Sequence, residues 1–166
     1  MKHFLRLGLL AAVIAAGLWS WTVLFPSPEK VIRNRLARLA SLASFSSNEG
    51  NIARVANIER MGTFFAENIE VVIDVPGVET HSFTRREELQ QAAMQARSAV
   101  GALRVEFPDI HMTFAPDKRS ATADVTLKAK VSGQNDLIVQ ELAITFDKTN
   151  RDWLITRIET VKTLQH

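Results

Sequence analysis

The chain has 166 residues, a net charge of +2, 46% hydrophobic residues and no cysteine. Without cysteine it has no disulfide, no zinc-thiolate centre and no lipid-modified thiol, though this says little about redox compartment. A charge so close to balance gives no compositional support for nucleic-acid binding.

Met1–Arg6 form a short tail bearing Lys2, His3 and Arg6, and Leu7–Phe25 then run without a charge. A helix of about 19 residues rises ~28 Å, close to the ~30 Å hydrocarbon core of a bilayer. A cleaved export signal and a retained single-pass anchor both fit this pattern. The small-x-small site of the signal is Ala15-Ala16-Gly17, and cutting there leaves the apolar end Leu18–Phe25 on the mature chain. Trp19, Trp21 and Phe25 cluster at the distal end, where interfacial aromatic side chains settle. The anchor is the favoured expectation, with membrane lipid as its partner. Lys2 and Arg6 favour a cytoplasmic amino terminus, whereas Lys30, Arg33, Arg35 and Arg38 beyond the run pull the other way. The expected placement is a bacterial inner membrane with the following domain outside the cytoplasm.

Pro26-Ser27 is the expected linker, and 28–166 are long enough for one domain with its own core. Ser27-Pro28-Glu29 is a helix start, with cap, proline at the first position and acid in the first turn. Ile32, Leu36, Leu39 and Ala43 recur at helical spacing. The basic residues of this helix suit either a solvated face or anionic head groups.

Ser46–Gly50 break the helix, and a second is expected over Ile52–Arg60, with Gly62 near its end. Phe64-Phe65 lead into a strand in which Ile69, Val71, Ile73 and Val75 alternate with Glu70 and Asp74. Pro76-Gly77 turn the chain, and His81 falls in a loop or short strand. Thr84-Arg85-Arg86-Glu87 matches a capping box, with Leu89, Ala93, Ala96 and Val100 as the inner stripe and Gly101 as the stop. Four strands follow, near Leu103–Ala115, Ala121–Val131, Leu137–Asp147 and Trp153–Leu164, and Pro108 predicts a bend in the first.

This order of elements resembles the NTF2-like superfamily, including its SnoaL-like branch. The residues carrying the likeness are Phe64-Phe65, Thr84–Leu89, Ala121–Leu127 and Trp153–Glu159. The resemblance covers about 28–164 and implies an α+β fold, a cone in which a curved antiparallel sheet wraps about three helices around a pocket. It further implies a homodimer through the outer sheet face, and either enzymes (isomerases, dehydratases, cyclases) or binding domains, because sites are grafted independently on a scaffold. The phenolic acid some of those enzymes use is missing, since the chain has no tyrosine. An anchored domain of this kind also resembles, in layout, the assembly-scaffold component of type IV secretion systems, although the Asn-Pro-x-Gly motif of that family is absent.

Turn centres predict the sheet register. A tip at Asp117-Lys118 sets Phe114, Met112 and Ile110 against Ala121, Ala123 and Val125. Pairing Val131 with Asp136 sets Leu127, Val125 and Ala123 against Gln140, Leu142 and Ile144. Pairing Phe146 with Trp153 sets Ile144, Leu142 and Gln140 against Ile155, Arg157 and Glu159. Alternation puts all of these on one largely apolar face. Gln140, Arg157 and Glu159 are thus the candidate ligand-binding residues, since buried charges need partners and these three can satisfy one another. The alternative is a rim position or a structural pair. His111 and Asp124 pair on the opposite face, where a general-base couple is weighed against a cross-strand charge pair or dimer contact.

The four histidines show no ligand spacing, and no nucleophile elbow, phosphate loop or metal motif appears, so no metal, cofactor or catalytic residue is assigned. The favoured expectation is a non-catalytic, membrane-anchored domain that binds a small apolar ligand or a partner protein. A small-molecule lyase or isomerase and a subunit of an envelope complex are the alternatives.

Overall fold

A computed structural model describes residues 26–73, 81–133, 137–150 and 152–161. The run Leu7–Phe25 and the Pro76-Gly77 turn lie outside the described residues. Among those described, no helix is long and apolar enough to cross a membrane. The chain divides into two compact units, 1–31 and 32–166. In the first, Ser27 caps a helix as its sequence implies: its hydroxyl accepts from the Lys30 amide at 3.3 Å and its carbonyl from Val31 at 3.1 Å.

Helix α1 spans Pro28–Ala43 and buries Ile32, Leu36, Leu39 and Ala40. The polar stretch after it bridges to a strand rather than wandering. Phe45 and Leu103 exchange backbone hydrogen bonds of 2.8 and 3.0 Å, and the Ser44 hydroxyl accepts from the Val105 amide at 2.9 Å. Helix α2 spans Asn51–Gly62 and buries Ile58 and Met61. Strands β1 (Phe65–Ile73) and β2 (His81–Arg85) follow, then helix α3 (Arg86–Ala99).

The start of α3 corrects the expected box by one residue. Arg85, not Thr84, is the cap, and Glu88, not Glu87, reaches back, to the Thr84 amide at 2.9 Å and the Arg85 amide at 3.4 Å. A guanidinium has no acceptor to return the favour, so only the carboxylate half of the box satisfies orphan amides. The bond from the Thr84 amide above all, with the Arg85 amide and guanidinium, holds the Glu88 carboxyl below the ordinary range against the opposing effect of desolvation. Gly62 lets α3 approach α2: a Cβ there would lie 2.3 Å from Gln90 Nε2, which donates to the Ile58 carbonyl at 3.4 Å.

The remaining strands are β3 (Leu103–Glu106), β4 (Ile110–Phe114), β5 (Ser120–Val131), β6 (Leu137–Thr149) and β7 (Asp152–Thr160). The sheet runs β2-β1-β7-β6-β5-β3, with β4 also on β5. It is mixed rather than wholly antiparallel, because β1 lies parallel to β7. β3 and β4 are two parts of one strand broken at Phe107-Pro108-Asp109, as Pro108 implies. Three residues there face two on β5, between the pairs Glu106–Lys128 and Ile110–Val125.

The predicted β4–β5 and β5–β6 registers both hold residue for residue. Ala121, Ala123, Val125, Leu142, Ile144, Phe146, Trp153 and Ile155 are all buried on the inner sheet face, and Ile32 and Leu36 of α1 are buried as well. Each large apolar side chain fully buried there contributes about 1.5–3 kcal/mol relative to exposure.

Candidate functional site

The β6–β7 register departs from expectation in two steps. The hairpin closes at Thr149–Asp152, with Asn150 at φ 56°, so Phe146 faces Ile155 and Lys148 faces Trp153. That slip of two residues preserves which face each side chain occupies. Thr156 is then one residue too many on β7, and beyond it Thr145 faces Arg157, Ile144 faces Ile158 and Ala143 faces Glu159. A one-residue bulge flips every later side chain to the other side. Thr156 itself donates its hydroxyl to Asp147 Oδ2 at 2.9 Å.

Arg157 and Glu159 therefore lie on the outer face, and Gln140 lies on the inner one. The expected meeting of the three does not occur, although Arg157 and Glu159 do satisfy each other. Arg157 Nε and one terminal nitrogen contact Glu159 Oε2 at 3.2 and 2.8 Å, and its other terminal nitrogen meets Glu70 Oε2 at 3.3 Å. All three side chains are about half exposed, so the cluster stabilises the domain by roughly 0–1 kcal/mol per pair.

Ile158 and Thr160 take the inner positions instead, opposite Ile144 and Leu142. Beyond Leu142 the inner face presents Leu127 and Ile138 with the neutral polar Gln140. Leu127, Gln140, Ile158 and Thr160 are half-buried and Ile138 is 42% exposed. A surface of this composition suits an apolar body with one or two hydrogen-bonding groups.

His111 and Asp124 do face each other, as do Thr113 and Thr122. Both His111 and Asp124 are exposed on the outer face, so water reaches them freely. Among the described residues, no group of three or more His, Asp or Glu side chains is placed to hold a metal ion.

A buried ion pair is the polar feature that sequence periodicity misses. Arg97 is 4% exposed, and one of its terminal nitrogens donates to both Glu49 carboxylate oxygens at 2.6 Å. Its other terminal nitrogen donates to the Leu42 carbonyl, and the guanidinium lies 4.9 Å from the centre of the Phe45 ring. Asn57 Nδ2 adds a 2.8 Å bond to Glu49 Oε1. Burial alone would raise the Glu49 carboxyl. The hydrogen bonds from Arg97 and Asn57, with the charges of Arg97 and Arg54, outweigh it and hold the group below the ordinary range. The inner face of α3 therefore runs through Gln90, Ala93 and Arg97, whereas Ala96 of the expected stripe is exposed. The signal available in sequence is the poverty of that helix in large apolar residues, which leaves its docking to polar groups. With its donors engaged, the pair is a clamp between α3 and the α1–α2 connection rather than a reactive centre.

No family model matches the sequence, and no curated protein matches it. Solved structures do. A domain of unknown function with a cystatin-like fold from Nostoc punctiforme PCC 73102 superposes with a TM-score of 0.61 at 16% identity, over 85% of this chain and 80% of that one. A candidate scytalone dehydratase from Novosphingobium aromaticivorans DSM 12444 gives 0.60 at 14%, over 83% and 87%. An NTF2-like protein of unknown function from Pseudomonas putida KT2440 gives 0.59 at 10%, over 81% and 85%. With three helices among the described residues on a mixed, mostly antiparallel curved sheet, the chain has the NTF2-like, or cystatin-like, α+β fold.

Proposed function

We propose that this is a membrane-anchored NTF2-like domain that binds a small apolar ligand, or an apolar segment of a partner protein, on its inner sheet face. The observation that carries the proposal is the incompletely buried inner surface around and beyond Leu142, where Leu127, Ile138 and Ile158 share a face with the neutral groups of Gln140 and Thr160. Gln140 is the residue of the sequence-derived set that fits this role; Arg157 and Glu159 would serve a ligand or partner only from the outer side. The anchor is Leu7–Phe25, and the domain lies outside the cytoplasm of a bacterial inner membrane. The domain pairs through its outer sheet face, where Leu137 and Val139 are 52% and 50% exposed.

The reading as a lyase or isomerase finds its support in the His111–Asp124 pair, but that pair stands on an open sheet surface without walls to exclude water. The name of the dehydratase-like neighbour describes that protein. At 14% identity, what it shares with this chain is a fold.

The test is photolabelling of the full chain in membranes with a diazirine-bearing fatty acid, followed by peptide mapping. Labels on the segments holding Leu127, Leu142 and Ile158, lost in Leu127→Asp, are expected. Labels confined to 7–25, or unchanged in that variant, sink the ligand site. The intact mass of the extracted protein tests the anchor in the same sample: a mass lacking 1–17 ends it.

A further inference from the structure

The surface between α1 and α2 is unlike the inner sheet face. A cleft of 390 Å³ there is lined by Arg38, Ser41, Leu42, Arg60, Thr63 and Phe64. Two arginines from different helices thus border one small space. The Thr63 hydroxyl donates to the Arg60 carbonyl at 2.7 Å, which fixes the end of α2 at the cleft. Arg35 adds a third positive charge at the edge. It lies 4.7 Å from the centre of the Phe64 ring and donates to the Thr63 carbonyl at 3.3 Å. Among the described residues, the carboxylate within ion-pair distance of these three arginines is Asp152, 4.0 Å from Arg35. Arg38 and Arg60 have no such partner there. Arg35 also keeps a buried Nε without a hydrogen-bond partner. Burial, and the neighbouring charge of Arg38 against that of Asp152, depress its proton affinity. The region is therefore an excess of positive charge beside an apolar floor.

We propose that this cleft is an anion site for a phosphate monoester carried on an apolar body. A carboxylate is satisfied by one guanidinium fork, whereas two forks approaching from separate helices suit the three terminal oxygens of a phosphate monoester. Leu42 and Phe64 supply the apolar contact, and the Ser41 hydroxyl can donate to a remaining oxygen. The same chemistry is offered by a free phosphorylated metabolite and by the head group of phosphatidic acid. The site is separate from the inner sheet face, and neither proposal depends on the other.

The experiment is titration of the full chain in neutral detergent with phenyl phosphate, followed by chemical-shift changes of arginine side chains. Saturable binding is expected, weakened about tenfold or more in Arg38→Gln and in Arg60→Gln, since each removes a charge-assisted contact. Both side chains are exposed, so thermal unfolding should be unchanged in both variants. Arg119→Gln, at an exposed position that does not line the cleft, should bind as the parent does. Benzoate should bind at least tenfold more weakly than phenyl phosphate, on the order of one lost charge-assisted bond. Monomeric dihexanoyl phosphatidic acid binding more tightly than phenyl phosphate identifies the lipid as the source, and the reverse order identifies a soluble ester. Absence of saturation, equal weakening by Arg119→Gln, or benzoate binding as tightly as phenyl phosphate would each overturn the proposal.

Discussion

The two halves of the inner sheet face follow the same alternating pattern and end differently. Phe146, Ile144, Ile155 and Val125 are each at most 1% exposed. Past Leu142, on the same strands, Leu127 and Gln140 are half-buried and Ile138 is 42% exposed. Period-two hydrophobicity says which side chains share a face, but not which of them a helix covers. The first half is closed, and Ile32 and Leu36 of α1 are likewise 0% exposed. The second half keeps Leu127 and Ile138 without matching closure, and the proposed ligand surface rests on that difference.

The largest expected effect lies in the closed half. Phe146→Ala should destabilise the domain by about 3–5 kcal/mol, through lost transfer energy and the cavity left behind. Ile138→Ala, at the other end of the same strand, should cost less than about 1 kcal/mol, as exposed substitutions do. Denaturant titrations of the two variants settle the matter: equal losses would mean that both halves are closed.

The helix layer is the next test. Arg97→Ala leaves the Glu49 carboxylate buried without its partner, and roughly 3 kcal/mol should be lost. Replacing both residues together, as Arg97→Met with Glu49→Met, should recover much of it. A double variant no better than Arg97→Ala would show that the pair does more than satisfy its own burial.

The smallest effect is in pH. The Glu49 carboxyl is depressed in the folded chain, so its contribution is complete above the ordinary carboxylate range and lost as pH falls below it. The stability difference between the parent and Glu49→Gln should hold constant near neutrality and shrink under acid. A difference that grew on acidification would contradict the direction of the shift.

Much of this architecture is legible in the sequence where local chemistry decides it. The tip at Asp117-Lys118, where Lys118 adopts φ 54°, fixes the β4–β5 register, and the Gly133 turn at φ 84° sits beside the correctly read β5–β6 pairing. The β6–β7 hairpin carried a comparable signal in Asn150, a residue type suited to positive φ in a two-residue turn, and the pairing actually closes around it. The bulge at Thr156 had none, because an extra residue in a run of alternating side chains leaves the composition unchanged. That single residue moved Arg157 and Glu159 out of the expected site. Arg97 carries no periodic signal for a different reason: burial of a charge is set by where Glu49, Leu42 and Asn57 arrive in three dimensions.

The clamp also sets an order of events. Glu49 leaves the ribosome 48 residues ahead of Arg97, and all of α2, β1 and β2 are made in between. Until then its carboxylate has water and Asn57 for company, and the joint between the first two helices stays unsealed. This pair therefore cannot latch the α1–α2 joint until α3 has been made, 48 residues downstream.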